Sequence, residues 1–153
     1  MAIEKFTKEY EFLSNFSPCE PLKTSHKMWA LSVEHGYQAE KANTVIEHIE
    51  ILSAETPQMA KWLGRRIRLR ETWEAEKVGI MRKYLGQKFS QEYLREQLLA
   101  TGDQELIEGN TWYDVFWGVD QRKRSPTYGL GLNMLGRLLM ELRTKFRDAD
   151  ASK

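Results

Sequence analysis

Apolar residues along this chain fall into runs of helical spacing, separated by short clusters of turn formers. Val45, Ile46, Ile49 and Leu52 recur at three- and four-residue intervals behind Thr44, the pattern of a helix with a threonine N-cap. Thr56-Pro57 opens a further helix, "PQMAKWLG", which Gly64 stops. From Trp73 to Phe89 the residues Val78, Met81, Tyr84, Leu85 and Phe89 form the stripe of an amphipathic helix. Ser90 and Gly102 are the start and stop signals of "SQEYLREQLLATG". A last helix, "NMLGRLLMELRTKF", is expected to turn Leu135, Leu138, Leu139 and Leu142 inward. Ser32 is placed to cap a helix running from about Val33 to Asn43.

The remaining segments read as extended. "FTKEYEF" predicts a short strand leading into a loop around Ser14 to Pro21, and "KMWALS" a second strand. "ELIEGN" and "DVFWG" predict two more, and the loop "VDQRKRSPTYGLG" joins them to the last helix. The order of elements predicts a mostly helical α+β fold, a single domain over residues 1–153 with a small β-sheet surrounded by helices.

Composition narrows the function classes. A chain of 153 residues can bury roughly 70% of its extended surface, enough for a real core. The formal net charge of +1 gives no global field for nucleic acid or anionic membrane, so any nucleic-acid partner must be recognised locally. Cys19 is the only cysteine, which excludes an internal disulfide and fits a reducing cytoplasm. The charged start "MAIEKFTKEYEF" predicts no secretory leader, and no apolar run nears the ~20 residues of a membrane span. With three histidines, none paired at ligand spacing, neither a metal nor a cofactor is expected.

The densest chemistry lies in "SVEHGYQAEKA", residues 32–42. On a helix, Glu34 and Lys41 are seven residues apart and share nearly one azimuth, separated by roughly 10 Å along the axis. Gln38 falls between them and Tyr37 lies beside the line, so one helix offers acid, amide and amine over about the length of a nucleoside. A solvated polar face is the ordinary reading of such a stripe. His35 sits off the line, where a packing or hydrogen-bonding role suits it better than a ligand role.

Three distant stretches bear on the choice. Trp73 stands at a helix start, behind a run holding Arg65, Arg66, Arg68 and Arg70, whose guanidinium forks suit phosphate oxygens. Asp114 lies between the aromatic pairs of "NTWYDVFWG", with Trp117 and Gly118 behind it, an apolar setting that suits a carboxyl to proton transfer. "GLGLNMLG" places Asn133 at a helix start, where it is either an ordinary N-cap or part of a site.

Together the blocks "FLSNFSP", "SVEHGYQAEKA", "RETWEAEKVGIM" and "WYDVFWG…GLGLNMLGRLLMELR" resemble, in order and spacing, the NADAR or YbiA-like family from about Phe12 to Arg143. The resemblance implies an N-glycosidase that hydrolyses a bond between ribose and a base-like nitrogen. It carries the family's catalytic acid, lysine, tryptophan and aspartate onto Glu34, Lys41, Trp73 and Asp114. Ser14, Asn15 and Phe16 come into a substrate pocket on the resemblance alone. Tyr37, Gln38, Arg65, Trp117, Gly118 and Asn133 complete the candidate binding set. The loop "VDQRKRSPTYGLG" departs from the family in being longer and more basic.

The implied substrates are small molecules: a phosphorylated ribosylamino-pyrimidine of riboflavin biosynthesis or, alternatively, an ADP-ribosylated guanine. Nucleic acid enters only as a modified substrate, and no membrane partner is expected. In this reading Glu34 stabilises the positive charge that builds on the sugar and activates water, and Asp114 hands a proton to the departing base or holds that base. Trp73 and Trp117 offer stacking faces. Lys41 serves either as a cation on the sugar or its phosphate, or as an amine forming a Schiff base with ring-opened ribose. A non-catalytic module binding NAD or ADP-ribose is the third reading, and the joint presence of acid and amine argues against it.

Overall fold

Ser32 accepts a hydrogen bond from the amide of His35, and that cap starts α1 (Val33–Ala39). Thr44 and Thr56 act in the same way on the amides of Glu47 and Met59, starting α2 (Val45–Leu52) and α3 (Pro57–Gly64). The remaining helices are α4 (Trp73–Phe89), α5 (Glu92–Ala100) and α6 (Met134–Ala151). The computed structural model describes residues 1–153, and they gather into two compact units. The first is Met1–Ser14 with Glu92–Lys153, and the second is Asn15–Gln91.

The strands are six, each two residues long: β1 (Ala2–Ile3), β2 (Leu22–Lys23), β3 (Trp29–Ala30), β4 (Glu105–Leu106), β5 (Gly109–Asn110) and β6 (Val119–Asp120). They pair as three separate ladders, β1 parallel to β4, β2 antiparallel to β3 and β5 parallel to β6. Helices therefore dominate and the β content is small. No helix is long and apolar enough to cross a membrane.

In the second unit α1 is the hub. It packs on α2, α3 and α4, and every residue from Val33 to Ala39 is buried. The solvated-face reading of this stretch therefore fails. His35 is a structural residue, its ring bridging the Ser32 hydroxyl (2.8 Å) and the Ala54 carbonyl (2.9 Å). Gly36 permits the approach of α4: a Cβ there would lie 2.6 Å from Cζ of Tyr84. In the first unit α5 and α6 pack together and α6 lies on β4, around Leu94, Leu98, Leu106, Leu135, Leu138 and Leu139.

Four expectations need correction. "FTKEYEF" is not a strand; Lys8–Leu13 forms a 3-10 helix, entered through a positive φ at Lys8. "DVFWG" is not a strand either, because Asp114 bonds the amides two and three residues ahead and curls the chain into a turn. On α2, Val45, Ile46 and Ile49 are exposed, and the helix buries His48 and Ile51 instead. Finally, α1 stops at Ala39 rather than Asn43. Lys41 and Ala42 then bond back to Gln38 and Ala39, a tightening to i,i+3 geometry.

Packing at Gly36 generates a direct expectation. Gly36→Ala gains about 1 kcal/mol of helix propensity but drives its methyl into a buried ring, an overpacking of about 1–3 kcal/mol. Urea unfolding should show a net destabilisation of up to about 2 kcal/mol, whereas a raised midpoint would contradict the close α1–α4 contact.

Candidate active site

The second unit builds a cluster on α1 and the turn that follows it. Glu34 is only 6% exposed; its backbone N–H donates to the Asn15 carbonyl (3.1 Å) and its Oε1 accepts from Gln38 Nε2 (2.7 Å). One turn on, the Tyr37 ring lies 5.0 Å from the indole of Trp73, tilted by 59°. The Lys41 ammonium rests over both rings, 5.4 Å from Tyr37 and 5.8 Å from Trp73. It makes no hydrogen bond and no ion pair.

Lys41 leaves the helix but not the site, because Arg70 holds the turn. The Arg70 backbone N–H donates to the Lys41 carbonyl (3.2 Å), and its Nε donates to the Glu40 carbonyl (2.7 Å). These bonds take up helix-end carbonyls that would otherwise lack partners.

Burial pushes the Lys41 pKa below the usual lysine value, because the charged form loses its water. The Glu34 charge opposes that shift, while Arg65, Lys61 and Lys77 add to it. A buried carboxylate thus acts on an amine of weakened basicity, and three further cations act on the same amine. Acid–base chemistry and the binding of an anionic group both suit such an arrangement.

Lys61 and Lys77 escaped the sequence reading. Their signal was spacing: Lys77 is four residues beyond Trp73 on one helix face, and Lys61 is one turn before Arg65. Lys77 also pairs with Glu74 (2.6 Å), and the Lys61 ammonium lies 5.7 Å from the ring of Phe16. Two other arginines of the run are used structurally. Arg66 stacks on Trp62 at 3.6 Å, and Arg70 pairs with Glu76 at 2.6 Å. Asn15 places its amide nitrogen 3.5 Å from the Met81 sulfur. Ser14, in the first unit, donates its amide to Glu11 and ends the 3-10 helix.

In the first unit Asp114 is fixed by Asn110. The Asn110 amide both accepts from the Asp114 N–H (2.9 Å) and donates to the Asp114 carbonyl (2.8 Å), a clamp the sequence reading missed. Asp114 Oδ1 in turn accepts from the amides of Phe116 (3.2 Å) and Trp117 (2.9 Å), which leaves Oδ2 without a partner. The expected aromatic bracket differs in detail. Tyr113 is exposed at positive φ with the Arg122 guanidinium 4.4 Å above its ring, and Trp117 meets Phe116 edge-on at 4.9 Å.

Gly118 and Asn133 have strong structural reasons of their own. A Cβ on Gly118 would collide with the Glu108 carbonyl. Asn133 does not cap α6 with its side chain; it sits at φ 51°, accepts from Glu108 N (3.0 Å) and donates to the Leu106 carbonyl (2.8 Å).

A cleft of about 650 Å3 also opens in the second unit, lined by Ser25, His26, Glu40, Arg70, Lys83 and Tyr84 among others. Neither Glu34 nor Lys41 lines it. No group of three or more His, Cys, Asp or Glu side chains is placed to hold a metal.

Comparison with known proteins gives the family of the chain. The NADAR domain model matches residues 3–147. The chain is 41% identical over 138 residues to the N-glycosidase YbiA of Escherichia coli K12, covering 88% of this chain and 81% of that protein. It is 38% identical over 151 residues to an N-glycosidase of Nostoc punctiforme, covering 94% and 90%. A riboflavin biosynthesis protein of Vibrio vulnificus is 38% identical over 144 residues, 92% of this chain but 37% of that longer protein. The NMR structure of Escherichia coli YbiA superposes with a TM-score of 0.82 at 33% identity, over all of this chain and 88% of that one.

The electrostatics of Lys41 predict a measurable asymmetry. In an NMR titration of its ε-carbon, the midpoint should lie below the ordinary lysine value of about 10.4. Because unfolding restores that ordinary value, this group makes stability rise with pH across the interval between the two midpoints. Glu34→Gln removes the one charge that supports protonation and should lower the midpoint further. A midpoint that rises or stays fixed would refute the coupling.

Proposed function

The chain is an N-glycosidase that belongs to the NADAR family, and we propose that it hydrolyses a phosphorylated ribosylamino-pyrimidine of riboflavin biosynthesis, releasing ribose 5-phosphate. One observation carries the reading: the Lys41 ammonium, seated over Tyr37 and Trp73, feels the charge of buried Glu34 and also that of Arg65, Lys61 and Lys77. An uncharged nucleoside has no use for so many cations, whereas a sugar phosphate is matched by them. The likeness to a Vibrio vulnificus protein named for riboflavin biosynthesis supports a substrate from that pathway.

In the proposed reaction the bond from C1 of the ribose to the base nitrogen breaks as positive charge builds on the sugar. Glu34 stabilises that charge and removes a proton from the attacking water, whose oxygen forms the new bond to C1. The electron pair of the broken bond leaves with the base nitrogen, which takes up a proton as it departs; the resemblance puts Asp114 in the catalytic set, and this donation is the role proposed for it. Trp73 and Tyr37 supply flat faces for ring or sugar, with Lys41 above them as a cation on a hydroxyl or phosphate oxygen. Asn15 and Phe16, brought in by the family resemblance, are further contacts to the substrate in this reading.

A second substrate reading, ADP-ribosylated guanine, has its own observation. The basic loop is built rather than slack: Asp120 accepts from the Arg122 side chain and from the hydroxyls of Ser125 and Thr127. That geometry holds out Lys123 and Arg124, which make no hydrogen bond or ion pair. Exposed Trp112, Tyr113 and Tyr128 stand on the same and neighbouring loops.

Assay of purified protein on both substrates separates the two. Ribose 5-phosphate should appear from the ribosylamino-pyrimidine phosphate at the higher kcat/KM; activity confined to ADP-ribosylated guanine would overturn the leading reading. Glu34→Gln should lower turnover roughly a hundredfold to ten-thousandfold while the protein stays folded, and Asp114→Asn should also act on kcat. Borohydride added during turnover should leave Lys41 unmodified by mass spectrometry. A reduced pentose adduct on Lys41 would replace direct hydrolysis by a Schiff-base path.

A further inference from the structure

Gln38 is buried, 4% exposed, and uses only half of its amide. Nε2 donates to Glu34 Oε1 at 2.7 Å, while Oε1 is buried with no hydrogen-bond partner. An unpaired buried amide oxygen is a cost that native structures rarely carry without a reason. Against the ionised form of Glu34, turning the amide over would not help, since two acceptor oxygens would then meet. The orientation is therefore set by Glu34, and the unpaired oxygen is the consequence.

What surrounds that oxygen is Gly64, the last residue of α3, itself buried. A Cβ at Gly64 would lie 2.9 Å from Gln38 Cδ and 3.1 Å from its Cβ, and closer still to Oε1. No positive φ requires glycine here, so the reason for it is space. The missing side chain is the seat of the Gln38 amide. Through α1 packed on α3, a residue 30 positions away from Glu34 decides where the carboxylate's hydrogen-bond donor stands.

We propose that Gly64 and Gln38 form a positioning device for Glu34: Gly64 provides the recess, and Gln38, seated in it, orients the carboxylate and favours its ionised form. Gln38 is then a positioning residue rather than a contact to substrate. The claim that this matters for turnover rests on the proposed role of Glu34. The claim that it controls the carboxylate does not.

The test reads both. The carboxyl carbon of Glu34 is followed by NMR against pH in the parent protein, in Gly64→Ala and in Gln38→Ala. The alanine methyl meets the mobile end of a side chain, so Gly64→Ala can fold with the amide swung aside; Gln38→Ala removes the amide outright, with no steric demand. Both should raise the Glu34 midpoint by about one pH unit, the effect of one hydrogen bond to a charged group. The double variant should raise it no further than Gln38→Ala alone.

Turnover of the ribosylamino-pyrimidine phosphate should fall roughly tenfold to a hundredfold in kcat, with KM little changed and the acidic limb of the pH profile moved upward. A Glu34 midpoint unmoved in Gln38→Ala overturns the device, as do additive shifts in the double variant. If instead the midpoints move but Glu34→Gln retains full turnover, the device stands and the catalytic role of Glu34 falls.

Discussion

The structure depends on setting two opposite charges, one buried and one half-buried, on one short helix and the turn behind it. Glu34 is almost fully buried, and Lys41 sits above two aromatic faces without a hydrogen bond or ion pair. Either charge alone in such a place is expensive, because the protein returns only part of the hydration that folding removes. The carboxylate supports the protonated amine, against the burial that weakens it. The neighbouring architecture is what such a pair needs. Gln38 supplies a donor to Glu34, and Tyr37 and Trp73 supply π faces to Lys41.

That arrangement explains why the surrounding segments are irregular where regular structure would be cheaper. Helix α1 tightens after Ala39, and its exposed carbonyls are taken by the Arg70 backbone and side chain. The same arginine then opens onto Trp73, its guanidinium 5.9 Å from the indole. One residue thus links the position of the amine to the position of the tryptophan beneath it. Gly36 and Gly64 let α4 and α3 close on the helix that carries both charges. In the first unit a parallel economy holds Asp114, whose loop is shaped by Asn110 and by its own Oδ1.

Much of this was legible in the sequence, for physical reasons that differ by element. Ser32, Thr44 and Thr56 are caps that act through one local bond, so the starts of α1, α2 and α3 could be read directly. Ends were harder. The turn after Ala39 is held by Arg70, 30 residues beyond the Glu40 carbonyl it binds, and no local signal marks it. The 3-10 helix at Lys8–Leu13 and the Asp114 turn look extended in sequence because aromatics favour strands. Each is decided by a side-chain or backbone bond within a few residues. Glu34, Lys41 and Trp73 were found through spacing and family resemblance. Lys61 and Lys77 were not, since a lone lysine on a helix is ordinarily just solvated. Gly64 was read as a helix stop, and only the packing of Gln38 against it shows a second reason for the residue.

The coupling of Glu34 to Lys41 is open to one decisive measurement, a double-mutant cycle on unfolding free energy at neutral pH using Glu34→Gln, Lys41→Met and the pair. Interdependence predicts a coupling of about 1 kcal/mol or more, with the double variant distinctly less destabilised than the sum of the two singles. Effects that add to within about 0.5 kcal/mol would mean that the two charges are held independently, and the account built on their partnership would be wrong.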